Sequence, residues 1–136
     1  MAHEEIDAED RELIEAAREV IRRNYREDRH TVGAAVRTPS GKVYVGVDVG
    51  TTAYGPCAEP VAIGAAVSQG EREFVSIVAV SGGDPAFPVL APCGNCRQLL
   101  VDYAPDAQVI LPQGGKLVKV RARDLLPLPY RGFREE

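Results

Sequence analysis

Gly55-Pro56-Cys57-Ala58-Glu59 and Pro92-Cys93-Gly94-Asn95-Cys96-Arg97-Gln98 hold all three cysteines of the 136-residue chain. Each stretch reads as the opening of a helix. Cys93 and Cys96 are three apart, a spacing that lets two thiolates at one helix start face a single ion, and Cys57 can reach it from a second helix start. Three protein ligands leave one position open, which is the composition of a catalytic zinc site, whereas structural sites usually close with four. A structural site would use the same cysteines, but a fourth ligand is hard to find: the chain has two histidines, His3 near the terminus and His30.

Three thiolates around Zn²⁺ leave one net negative charge, which weakens the metal as a Lewis acid unless something positive offsets it. Two helix N-termini do so with backbone N–H groups and the positive end of the helix dipole. Arg97, beside Cys96, is expected to add a full charge. Water in the open position is then activated toward a pKa of about 7. Glu59 lies in the first turn after Cys57, where a side chain tilts back toward the N-terminus and so toward the metal. A carboxylate there can relay protons, general acid/base work that contributes about 10²- to 10⁴-fold.

Outward from these segments, Leu13, Ala16, Ala17, Val20, Ile21 and Tyr25 recur at helical spacing, predicting an amphipathic helix from about Asp7 to Glu27 with Asp7 as N-cap. Thr31–Arg37 and Lys42–Val49, joined by Pro39-Ser40-Gly41, read as an antiparallel hairpin. A largely apolar helix is expected from about Cys57 to Gln69. Phe74–Ser81 reads as a strand covered on both faces, followed by a Gly-, Asp- and Pro-containing loop to Pro92. A helix from about Asn95 to Tyr103 precedes Ala107–Leu111 and Lys116–Arg121, which are too close in sequence to be parallel. Arg123–Leu126 reads as a short helical turn, with an irregular tail through Tyr130 and Phe133. The order predicts an α/β fold of three layers: a mixed five-stranded sheet, helices on both faces and a C-terminal antiparallel hairpin.

A chain of this length fits one domain, residues 1–136. The net charge of −4 and the lack of a Lys/Arg stripe argue against a nucleic-acid backbone as partner and for a small ligand. No apolar run is long enough for a membrane span, and the polar, acidic start is unlike a signal peptide, so a cytoplasmic protein is expected. In that reducing compartment metal or chemistry, rather than disulfides, accounts for the grouped cysteines.

Cys57-Ala58-Glu59 with Pro92-Cys93-Gly94-Asn95-Cys96 resembles the cytidine deaminase family, whose signature of zinc ligands and a non-ligand glutamate is a known one. Val32-Gly33-Ala34-Ala35, Gly41–Val47 and Asp124-Leu125-Leu126-Pro127 extend the resemblance over most of the chain. It implies hydrolysis of the 4-amino group of a cytosine nucleoside in a homotetramer with shared pockets. It further implies zinc on Cys57, Cys93 and Cys96, proton transfer by Glu59, and ring seating by the Ala58 backbone.

Three departures bear on the substrate. The family's Asn-x-Glu sugar anchor reads Asp48-Val49-Gly50, an expected aromatic is His30, and an arginine after Cys-Ala-Glu is Pro60. The segment Gly55–Gly64 and the tail Leu125–Tyr130 are similar to the family's blasticidin S deaminase branch, which implies a pocket that keeps the cytosine end and relaxes the sugar end. Asp48, His30 and Tyr130 are therefore candidate substrate contacts. Their plainer readings are a turn-former, a loop-end surface residue and a cap on the core. The rival functions are deamination of another amino-heterocycle and a catalytically idle zinc domain.

Overall fold

The computed structural model describes residues 3–132. Asp7 caps α1 (Ala8–Asn24) through a reciprocal box: its carboxylate accepts from the Asp10 N–H at 3.0 Å, and the Asp10 carboxylate accepts from the Asp7 N–H at 2.9 Å. The helix stops before Glu27 because residues 25–30 turn back on themselves, with Asp28 at φ 68° and a bridge from Arg26 to His30. Its buried stripe of Leu13, Ile14, Ala17 and Ile21 covers Ala35, Val78, Val80 and Ile110 of the sheet.

The expected hairpin is β2 (Val32–Arg37) with β3 (Val43–Val47), antiparallel, Ala35 opposite Val45. β4 (Ser76–Ser81), β6 (Gln108–Gln113) and β7 (Lys116–Arg121) complete the five anticipated strands, and β6 and β7 are antiparallel as required. The count of five is corrected to seven by two-residue strands, β1 (Glu4–Glu5) on the edge of β7 and β5 (Val89–Leu90) on β4. Two residues carry no periodicity, and these pair only because the neighbouring ladder leaves backbone groups to satisfy. The order is β1-β7-β6-β4-β2-β3, and β4 with β6 is the parallel pair.

Period-two alternation splits the core. Ala34, Val36, Ile77, Ala79, Val109 and Val120 pack against α2 (Ala58–Ser68) and α3 (Gly94–Tyr103), while the residues between them meet α1. α2 lies unusually close to β3: a Cβ on Gly46 would stand 2.6 Å from the Ala62 amide nitrogen. Beyond the far end of α2, Glu71 is pinned, one carboxylate oxygen accepting from Ser40 Oγ at 2.9 Å, Thr38 Oγ1 at 3.1 Å and Tyr44 Oη at 3.1 Å. A 3-10 turn, Ala122–Leu125, packs on α3. No helix of the described residues is long and apolar enough to cross a membrane. Phe133 lies outside the described residues.

Candidate metal centre

Cys57 and Cys93 are the N-cap residues of α2 and α3, with almost superimposable backbones (φ −67°, ψ 170° and φ −71°, ψ 174°) and no side-chain capping bond. Their sulfurs are 3.7 Å apart. Cys96, one turn into α3, brings a third sulfur, and all three lie within 4.8 Å of one another. Thiolates bound 2.3 Å from one ion at tetrahedral angles stand about 3.8 Å apart, so the donor set fits zinc. No fourth Cys, His, Asp or Glu joins the group among the described residues.

Glu59 sits beside the sulfurs, 7% exposed, its Oε1 accepting from the Cys96 thiol at 3.5 Å. Burial pushes its carboxyl above the ordinary carboxylate range. The three thiols differ in the same electrostatic setting. Burial, reinforced by the Glu59 carboxylate, pushes Cys96 up, and burial also raises Cys57. For Cys93 burial is outweighed by donors that include the Cys96 and Asn95 backbone N–H groups, and its pKa falls below the usual thiol value. A shared metal offsets the cost of holding these sulfurs together as anions.

A cavity of about 180 Å³ opens on this group, with Cys57, Ala58, Glu59 and Cys93 at one end and Val32 and Asp48 among its other lining residues. It lies where β4 ends and β2 begins, a common place for a site in an α/β sheet. No lysine or arginine lines it among the described residues. Asp48 reaches the cavity but spends much of its carboxylate on the chain: Oδ1 accepts from the Thr31 and Val32 N–H groups at 2.7 and 2.9 Å, and Oδ2 from Thr31 Oγ1 at 3.2 Å.

His30 is not among the cavity's lining residues; its Nδ1 is 2.8 Å from the Asp48 carbonyl oxygen. Tyr130 is 74% exposed, also off the lining, with its carbonyl accepting from Gln98 Nε2 at 2.9 Å. The described chain thus brings Glu59, Ala58, Asp48 and the cysteines together and leaves His30 and Tyr130 apart. Arg97, expected to face the metal, instead donates from Nε to the Pro92 carbonyl at 2.9 Å and from Nη1 to Leu125 at 3.3 Å, tying the approach to Cys93 onto the 3-10 turn. The lining residues Ala79, Leu90 and Ala91 carried no signal of their own, although the last two lead directly into Pro92-Cys93.

Fold and sulfur cluster together define a deaminase-type zinc domain. The family model described as the cytidine and deoxycytidylate deaminase zinc-binding region matches residues 7–111, and the chain belongs to that family. Among individual proteins, it is 43% identical over 134 residues to the blasticidin-S deaminase of Bacillus cereus, covering 92% of this chain and 94% of that one. It is 37% identical over 103 residues to a cytidine deaminase of Halalkalibacterium halodurans, covering 73% and 76%. The crystal structure of cytidine deaminase from Mycobacterium leprae superposes with a TM-score of 0.74 at 30% identity, covering 89% of this chain and 99% of that one.

Proposed function

We propose that the protein hydrolyses the 4-amino group of a cytosine nucleoside, giving the uracil form and ammonia. The observation that carries this reading is the convergence of Cys57, Cys93 and Cys96 within 4.8 Å beside a buried carboxylate at one end of a cavity. Zinc on the three sulfurs supplies Lewis acidity that makes water a nucleophile near neutral pH.

Glu59 takes a proton from the attacking water and delivers it to the ring nitrogen, then takes the remaining proton from the new C4 hydroxyl and gives it to the departing amine, leaving the C4 carbonyl and ammonia. A carboxyl raised by burial is suited to taking and returning a proton near neutrality. The Ala58 backbone seats the ring at the metal end. Asp48 faces the sugar, with Oδ2 as its freer oxygen, and His30 acts from behind by holding the Asp48 carbonyl. The lack of a lysine or arginine on the cavity wall among the described residues supports a nucleoside over a nucleotide, because a phosphate there would meet the carboxylates of Asp48 and Glu59.

Blasticidin S is the first substrate to test, given the near full-length similarity to a protein named for it. The zinc-loaded chain is incubated with blasticidin S, cytidine, deoxycytidine and deoxycytidylate while ultraviolet absorbance and ammonia are followed. Turnover of one or more nucleosides with none of the nucleotide is expected. Bound zinc with no turnover of any of them removes cytosine nucleosides from the reading.

The assembly belongs to the same proposal. α2 carries no basic residue, and its only acid is the buried Glu59, so Val61, Gly64, Ala65 and Ser68, at helical spacing, form a face of small uncharged residues only partly covered within one chain. A homotetramer buries such a face and gives the exposed Tyr130 a neighbouring pocket to enter. Sedimentation velocity reads the assembly directly. Unpaired thiols suit the reducing cytoplasm.

A further inference from the structure

One wall of the cavity is made by Leu90 and Ala91. Leu90 belongs to β5, whose only ladder is two residue pairs with β4, Ala79 opposite Leu90 and Val80 opposite Val89. A strand so short does not hold its own place. Its placement matters, because three residues further on the chain delivers Cys93 to the metal.

The loop that feeds β5 is fastened to α1, on the face of the sheet away from the sulfurs. At its start Gly82 donates to the Thr31 carbonyl at 2.7 Å and lies so near Ile21 that a Cβ there would stand 2.5 Å from Cγ1. At its end Phe87 adopts φ 48°, a left-handed conformation that a side-chain-bearing residue keeps only when its surroundings over-determine it. Those surroundings are a local turn, in which the Phe87 N–H donates to the Asp84 carbonyl at 2.9 Å, and two arginines of α1 one helical turn apart. Arg18 Nε donates to the Phe87 carbonyl at 3.1 Å, and the Arg22 guanidinium lies 4.9 Å from the centre of the Phe87 ring. Both are steadied by their own ion pairs, to Glu15 at 2.7 Å and Glu19 at 2.6 Å. From Phe87 the chain passes to Pro88, whose carbonyl accepts from the Ser81 N–H at 2.9 Å, and then into β5.

We propose that the clasp of Arg18 and Arg22 on Phe87 is a positioning device for the substrate wall at Leu90 and Ala91. It acts through the sheet from the opposite face, and none of its three residues touches the cavity. The assignment rests on the reading of that cavity as the nucleoside pocket.

The test uses the full, zinc-loaded chain. Arg18→Met/Arg22→Met keeps the aliphatic stems and removes both guanidinium groups. Arg23→Met, next to Arg22 in the last turn but paired among the described residues only with Glu19 at 3.5 Å, is the control for lost charge. Without substrate, backbone hydrogen exchange across residues 81–92 is expected to rise about tenfold in the double variant and to stay native in the control, since a hydrogen bond and an exposed cation–π contact together amount to about that factor. With substrate, KM is expected to rise about three- to tenfold while kcat stays within about twofold and zinc remains stoichiometric. Arg22→Lys, which returns a cation to the ring, recovers part of both effects. Unchanged exchange in the double variant, equal effects in Arg23→Met, or faster exchange with native KM each overturn the proposal. A native protein that turns over no cytosine nucleoside overturns the functional reading instead, and exchange alone then decides whether the clasp holds this segment.

Discussion

α2 and α3 start alike and end up with different chemistry. Both place a cysteine at the N-cap with the same backbone angles to within a few degrees. α2 then buries Ala58, Ala62, Ile63 and Ala66 in the core and carries Glu59 in with them. α3 lies across the surface, burying Cys96 and Leu100 and leaving Cys93 exposed. The shared turn explains how the donors arrive at one point. Burial raises the Glu59 carboxyl on α2, whereas at the start of α3 hydrogen bonds that include the Cys96 and Asn95 backbone N–H groups outweigh burial and lower the Cys93 thiol.

The sharpest test of that contrast removes Cys96, the deepest sulfur. Cys96→Ala is expected to lose stoichiometric zinc and all measurable turnover, read by metal analysis and ammonia release. Glu59→Gln comes next: zinc retained, kcat lowered about 10²- to 10⁴-fold.

The same variant carries a stability signature. The Glu59 carboxyl titrates above 4.5 when folded. Its linkage therefore favours the folded state below pH 4.5, and that contribution is lost as pH rises through the folded value. In the metal-free protein Glu59→Gln is expected to raise the thermal midpoint at pH 7, with the gain shrinking toward pH 4. An equal midpoint at pH 7 would mean that the buried acid costs nothing.

Smaller effects probe how each helix is seated. Gly46→Ala drives a methyl group into the α2 backbone and is expected to cost about 1–3 kcal/mol in denaturant unfolding. Asp48→Ala leaves the Thr31 and Val32 N–H groups without their acceptor, a loss of about 1–3 kcal/mol that Asp48→Asn largely avoids. Gly94→Ala is expected to stabilise by about 0.5–1 kcal/mol, because a Cβ there meets nothing within 4 Å and α3 gains helix propensity.

The sulfur site was legible in the sequence because its residue types are scarce and their spacing is local to two helix starts. α1 was legible through its stripe and the Asp7 cap, and the hairpins through their turns. The remainder depends on contacts between distant positions. β5 exists because the end of β4 has an unpaired flank, and nothing in Val89-Leu90 announces it. The Asp48 carboxylate turns back to accept from a strand 16 residues earlier, and the Asp48 carbonyl meets the His30 ring, two bonds that neither residue's place in the sequence announces. Arg97 follows its nearest carbonyl acceptors and not the metal. Tyr130 lies on the surface with its carbonyl tied to Gln98 of α3.

The knot at Glu71 has a consequence for how such a chain can change. Three hydroxyls on one oxygen moor the exit of α2 to the β2–β3 turn, while Gly46 admits the helix body against β3. The acid-bearing rod is thereby anchored from behind, independently of the exposed stretch 51–54 that leads toward it. That stretch can vary in composition and length without relocating Glu59, which makes it the natural ground on which a lineage retunes substrate preference while the hydrolytic machinery stands still.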